Sequence, residues 1–312
     1  MTQPKALGII NEVRKAIVGK DTVVCKTLMA ILAGGHILLE DNPGVGKTTM
    51  ALAFSRAMGM QFGRVQFTPE TMPSDVLGYS IYNKETGRLE YRPGAAQCNL
   101  FLADEINRTS AKTQSALLEA MEEGQVTVDG VSRPLPSPFT VIATQNPLGT
   151  AGTQPLPESQ LDRFMLRLSI GYPSAEQEVR ILKQTEGRRP LESIVPAATL
   201  AEVGQMRAEA ALVHVADDLY RYVADLCTAT REDPALRLGA SPRAGAALVR
   251  ACRASAWMAG RDYIVPADVN LLFFDVLCHR VVLEPQAKMG GLDAHAVLEG
   301  VMAQVPAPRL LR

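Results

Sequence analysis

Leu38-Leu39-Glu40-Asp41-Asn42-Pro43-Gly44-Val45-Gly46-Lys47-Thr48-Thr49 is the stretch whose reading decides the fold. An apolar strand, Ile37 to Leu39, runs into a glycine-rich turn. The turn runs into Lys47, two threonines and a helical apolar pattern of Met50, Leu52, Ala53, Phe54 and Ala57. Gly44 and Gly46 lack a Cβ, so the backbone can curl tightly and aim several N–H groups inward. Those donors, with the positive end of the following helix, make an anion site. Asn42, Pro43, Gly44, Val45, Gly46, Lys47, Thr48 and Thr49 are therefore the candidate phosphate-binding residues. Lys47 adds a point charge for the outer phosphates, and the Thr48 hydroxyl suits a magnesium shell. One position departs from the usual phosphate-loop pattern, because Asp41 stands where glycine is common.

Outward from this stretch, apolar periodicity alternates between strand and helix. Residues 9–20 and 21–33 read as helices before the first strand. Arg64 to Phe67, Asn99 to Ala103, Phe139 to Thr144 and Met165 to Ile170 read as further strands. Residues 112–123 are amphipathic, with Gly124 as their C-cap. Strands alternating with helices predict a mainly parallel sheet covered on both faces. Two hairpins interrupt the pattern. One spans Ser80 to Tyr91 around Asn83–Gly87, and the other surrounds Asp129-Gly130. After Tyr172-Pro173 no further strand is convincing. Residues 175–186, 199–210, 215–229, 242–258 and 266–281 read as helices, two of them opened by Pro242 and Pro266. The expected domains are residues 1–172, an αβα core, and residues 173–312, an all-helical domain. Whether residues 290–312 pack or trail stays open: Pro306 and Pro308 suggest a loose tail, while the apolar Leu310-Leu311 could dock it.

Composition bounds the function classes. With 312 residues, 47% of them hydrophobic and 21% charged, the chain is ordinary globular material and not a disordered one. A formal net charge of −1 supplies no overall basic field for nucleic acid, so nucleic acid is a disfavoured partner. The five cysteines lack Cys-x-x-Cys spacing and read as buried thiols of a reducing compartment. Met1 to Gly8 has no apolar signal core, and no run approaches the roughly 18 apolar residues of a membrane span. The expectation is a cytoplasmic protein.

Two more strand ends carry chemistry. Leu100-Phe101-Leu102-Ala103-Asp104-Glu105 delivers two carboxylates where α/β sheets bind ligands. Asp104 would hold the magnesium shell, and Glu105 would polarise an attacking water. Val141-Ile142-Ala143-Thr144-Gln145-Asn146-Pro147 places Asn146 at another strand end, where its amide can orient the water or touch the terminal phosphate.

With these motifs assembled, the chain resembles an AAA+ ATPase of the MoxR family. The resemblance is carried by Pro43 to Thr48, by Asp104-Glu105-Ile106-Asn107-Arg108, by Lys112 to Glu123 and by Ala143 to Pro147. Leu161-Asp162-Arg163-Phe164 and Ser241-Pro242-Arg243-Ala244 complete it, so that it spans nearly the whole chain. It implies an AAA+ core with a helix-2 insert (residues 69–98) and a hairpin before sensor 1 (residues 125–138), followed by a smaller helical lid. It implies Asn146 as sensor 1, Val18-Gly19 beside the adenine, Arg163 as an arginine finger reaching a neighbour's nucleotide, and Arg243 as sensor 2, an in-chain arginine from the lid. ATP and Mg2+ are the implied cofactors, a homo-oligomeric ring (a hexamer) the implied assembly, and a von Willebrand A domain protein and a protein client the implied partners. The implied activity is ATP-driven remodelling or maturation of the client, through metal-cofactor insertion or complex assembly. The alternatives are a nucleotide-dependent scaffold with slow turnover and a nucleic-acid-associated motor.

Overall fold

The computed structural model describes residues 3–146, 156–185 and 190–309. Helices α1 (Pro4–Arg14) and α2 (Asp21–Leu32) precede strand β1 (Ile37–Glu40). The phosphate loop leads to α3 (Lys47–Ala57) and β2 (Phe62–Gln66). A short α4 (Pro73–Leu77) and a hairpin of β3 (Gly78–Asn83) and β4 (Arg88–Pro93) come before β5 (Leu100–Asp104). Then follow α5 (Ala111–Glu123), a second hairpin of β6 (Gln125–Val128) and β7 (Val131–Pro134), β8 (Thr140–Gln145), α6 (Glu158–Leu161) and β9 (Leu166–Leu168).

Five of these strands form one parallel sheet in the order β2-β5-β8-β1-β9. The central strands are apolar along their middles because both faces are covered. Alternate residues divide between the faces. Ile37, Leu39, Leu100, Leu102 and Ile142 join one core cluster, while Leu38, Phe101, Ala103, Val141 and Ala143 join the other. This parallel order brings the C-terminal ends of β1, β5 and β8 side by side, which is where the sequence puts its polar residues.

Beyond β9 the chain is helical: α7 (Ala175–Thr185), α8 (Leu200–Ala211), α9 (Asp217–Glu232), α10 (Pro242–Met258), α11 (Pro266–Leu277), α12 (Pro285–Met289) and α13 (Ala294–Gln304). One apolar cluster runs without a break from α1, α2, α3 and β1 into these lid helices, so lid and core share a hydrophobic interior.

Several details differ from the sequence expectation. The first helix spans Pro4–Arg14 and not residues 9–20, starting early because proline is pre-set for a first turn. The lid contains a small antiparallel ribbon, β10 (Leu236–Leu238) with β11 (Val282–Leu283), too short to show a period in sequence. The helix expected over 266–281 ends at Leu277, and Cys278 to Arg280 turn back toward the core. In the stretch 290–312, which the sequence left open, α13 packs and buries Val297, Leu298 and Val301. Pro147, Glu186 and Leu310-Leu311 lie outside the described residues. Among the described residues, no helix is long and apolar enough to cross a membrane.

His36 joins three elements at the N-terminal end of the sheet strands. Its Nε2 lies 3.0 Å from the Met121 carbonyl, and the Val141 amide donates to its Nδ1 at 2.9 Å. This network assigns a neutral ring with the proton on Nε2, since a second ring proton would face an N–H. Burial pushes the His36 pKa down to about 4. Burial also drives His279 well below the ordinary histidine range. The unfolded chain takes up protons that these folded rings refuse. Stability is therefore intact above about pH 6.5 and falls as pH drops toward 4, by at most about 1.4 kcal/mol per pH unit for each ring. His36→Gln, lacking a titrating ring, is expected to show a shallower decline than wild type in urea denaturation between pH 7 and 5. Identical slopes for the two proteins would refute this.

Candidate active site

The phosphate loop has the backbone its glycines permit. Gly44 and Gly46 take φ of 85° and 97°, a region costly for residues with a Cβ. Lys47 opens α3, whose first turn carries no acidic residue to occupy the positive helix end. The Lys47 ammonium is buried and donates to the Asp41 carbonyl at 2.5 Å, the Asn42 carbonyl at 3.2 Å and Asn146 Oδ1 at 3.4 Å. Burial lowers its pKa, while the charges of Asp41, Asp104 and Glu105 act the other way. No carboxylate among the described residues forms an ion pair with it. A buried cation whose hydrogen bonds go only to neutral acceptors is a site for an anion. Thr48, the next residue, is half-buried, and its hydroxyl makes no hydrogen bond among the described residues.

Asp41, the departure from the common pattern, does not fill the phosphate site. Its carboxylate turns to the end of β9, accepting from Ser169 Oγ at 2.7 Å, from the Ile170 amide at 2.6 Å and from the Gly171 amide at 3.1 Å. It ties the start of the phosphate loop to the segment that leads into the lid.

The acidic pair lies across the sheet. Asp104 ends β5, and its Oδ1 accepts from Thr144 Oγ1 at 2.6 Å while Oδ2 accepts from Arg64 at 2.8 Å. Glu105 adopts left-handed backbone geometry (φ 58°, ψ 47°), a strained choice for a residue with a side chain and one that recurs at functional sites. The Glu105 amide donates to Thr144 Oγ1 at 2.8 Å, which helps fix that turn. Its carboxylate accepts from Arg108 at 2.8 Å and from Asn146 Nδ2 at 3.1 Å. Asn146 therefore stands between the lysine and the glutamate, accepting from one and donating to the other.

Beside the loop is a cavity of about 300 Å³ lined by Ile17, Val18, Val45, Thr49, Ile170 and Ile181, among others. It is a mostly apolar slot next to a phosphate loop, suited to a flat base. Gly19 flanks it, with its carbonyl accepting from Gln177 Nε2 at 3.2 Å.

Arg163 and Arg243 lie elsewhere. Both pair with Glu122 at the end of α5, Arg163 at 3.0 Å and Arg243 at 2.7 Å. Together they line a cavity of about 290 Å³ with Gly34, Gly35 and His36, the residues that precede β1. The phosphate loop follows the opposite end of β1. Arg243, expected as an in-chain sensor 2, thus stands beside Glu122 in this structure. The lid seats α10 against α2 and the end of α5, so Arg243 meets Arg163's carboxylate partner and not its own chain's phosphate loop.

Sequence reading overlooked the supporting side chains. Thr144 links Asp104 to the Glu105 turn. Arg108 lies three residues after Glu105, a spacing that could have flagged it. Arg64 and Glu122 give no local sign of their partners, which come from other elements.

Fold and site together define a P-loop nucleotide-binding protein with an AAA-type lid. The family described as "ATPase family associated with various cellular activities (AAA)" matches residues 36–166, and the AAA lid domain matches residues 228–301. The chain is 39% identical to Chaperone MoxR1 of Mycobacterium tuberculosis, over 96% of this chain and 82% of that protein. It is 46% identical to the uncharacterized protein YeaC of Bacillus subtilis, over 96% of this chain and 93% of that one. A crystal structure of a Cytophaga hutchinsonii protein superposes with a TM-score of 0.91 at 36% identity, covering 98% of this chain and 95% of that one. The chain belongs to the MoxR family of AAA+ ATPases.

Proposed function

We propose that the protein is a magnesium-dependent ATPase that works as a homo-oligomeric ring, a hexamer, and couples ATP turnover to remodelling or maturing a client protein. The observation that carries this reading is the separation of the site into two ends. Lys47, Thr48, Asp104, Glu105 and Asn146 gather at the C-terminal ends of the strands. Arg163 and Arg243 stand together at the other end of β1. A head-to-tail neighbour would bring those arginines to the next chain's phosphates, and repetition of such a contact closes a ring.

In the proposed reaction the loop amides and Lys47 hold the ATP phosphates. Glu105 polarises the attacking water while Asn146 orients it. Arg163 and Arg243 from the neighbour stabilise charge developing on the transferred phosphoryl group. Thr48 and Asp104 are hard oxygen donors, and each Asp104 oxygen carries one hydrogen bond and a further lone pair, so the pair fits magnesium. The metal would supply charge neutralisation at the outer phosphates.

The relative named as a chaperone supports a protein client for this chain. Family resemblance extends the reading to a von Willebrand A domain partner and to metal-cofactor insertion or complex assembly in the cytoplasm. The β3–β4 hairpin is the surface best suited to a client, because it exposes Tyr79, Ile81, Tyr82 and Leu89.

ATP turnover measured across protein concentration, with magnesium and with mass followed by light scattering, tests the reading. Specific activity is expected to rise steeply as the larger species forms. Activity that stays flat with concentration in a monomer would overturn the ring mechanism.

A further inference from the structure

The turn Asp162-Arg163-Phe164-Met165 carries the finger candidate but has no regular secondary structure of its own. Phe164 and Met165 are buried, so the turn's carbonyls need donors from elsewhere. Most of those donors come from one lid residue. Arg280, with a side chain only 2% exposed, donates to Asp162 Oδ1 at 2.7 Å and to the carbonyls of Asp162 (3.0 Å), Phe164 (2.6 Å) and Met165 (3.1 Å). It also reaches the Val276 carbonyl in the last turn of α11, the helix that it follows. Its neighbour His279 adds a bond from Nε2 to the Phe164 carbonyl at 2.9 Å. The second oxygen of Asp162 accepts from Ser241 at 3.3 Å, and Ser241 is the N-cap of the helix that carries Arg243.

We propose that Arg280, assisted by His279, is a positioning residue for catalysis: it clamps the 162–165 turn to the lid, so that Arg163 and Arg243 are presented to the neighbouring chain as one rigid pair. This deepens the ring reading and rests on it. A flexible turn could not hold a guanidinium within the few tenths of an ångström that transition-state contacts demand. Arginine suits the job because its planar fork serves several acceptors at once, which a lysine point charge cannot do. The clamp also makes the finger follow the lid. Any displacement of α11 is passed to Arg163 through five hydrogen bonds from Arg280 and His279 to the turn.

The test uses the full chain and mixed assemblies. Arg280→Lys is expected to lower turnover by roughly a hundredfold, the scale of an ångström misplacement. Its KM for ATP and its assembly mass should stay near wild type. Lys47→Ala chains, defective in ATP binding but carrying an intact 162–165 turn, are then mixed in equally. They should raise the activity of Arg280→Lys chains several-fold by donating sound fingers. Arg163→Ala chains mixed in the same way are the reference. Rescue of Arg163→Ala without rescue of Arg280→Lys would overturn the clamp and leave the finger reading intact. No rescue of either, or full activity of Arg163→Ala alone, would overturn the ring reading itself. If Arg280→Lys does not assemble, Asp162→Asn decides, since it removes the charge partner and leaves the arginine. It should show a milder loss with the same rescue, and a loss without rescue would count against the clamp.

Discussion

Glu105→Gln is expected to bind ATP as wild type does and to turn it over at least about a hundredfold more slowly, the usual scale for removing a general base. The substitution is well suited to the site. Glutamine keeps the side-chain length, and its carbonyl oxygen can still accept from Asn146 Nδ2, now at 3.1 Å from the carboxylate. The left-handed backbone at residue 105 is equally tolerant of both residues, so no new strain enters. What disappears is the negative charge that would polarise water and that now pairs with Arg108 at 2.8 Å. Lys47 and the loop amides, which would hold the phosphates in the proposed reaction, are untouched. Fluorescent-nucleotide titration should give unchanged affinity, and phosphate release should be nearly absent. Wild-type turnover in this variant would remove Glu105 from the mechanism.

Arg163→Ala should lose turnover by about 10³-fold or more while keeping ATP affinity, the magnitude associated with an arginine finger. The loss should not be one of folding. The Arg163 side chain is 30% exposed, its Glu122 partner retains Arg243 when Arg163 is gone, and a bond to the Leu118 carbonyl at 2.6 Å is lost with it. A pair of that exposure contributes little to stability. Thermal unfolding close to wild type, with turnover absent, would separate catalysis from structure. The same measurement on Arg243→Ala asks whether the second arginine acts with the first, and the shared Glu122 predicts that the double variant loses less than the two single losses multiplied. Normal turnover in Arg163→Ala would sink the finger assignment.

The two experiments probe opposite ends of the sheet strands, and the difference bears on what can be read from a chain of letters. Gly44, Gly46 and Lys47 are legible because their chemistry is local. A glycine-rich turn between an apolar strand and a helix has few other conformations open to it. Asp104 and Glu105 are legible for the same reason, since an apolar run ending in two carboxylates marks the end of a buried strand. The hairpin at Asp129-Gly130 follows from turn chemistry.

Other features depend on elements far apart in sequence. Asn146 reaches Lys47 across 99 residues because the parallel order places β8 beside β1 and β5. Thr144 supports Glu105 for the same reason. Nothing near Arg243 announces that it shares Glu122 with Arg163, because that meeting depends on how the lid packs against α2 and α5. Arg280 reads as an ordinary helix-end arginine until α11 stops at Leu277 and turns it inward, 118 residues from Asp162.

The sequence by itself determined the phosphate loop, the acidic strand end, the alternation of strand and helix and the family, because backbone preference and hydrophobic period act within a few residues. Only the tertiary structure decided which side chains meet, because strand order and the shared lid–core interior bring together groups whose separation along the chain carries no local signal.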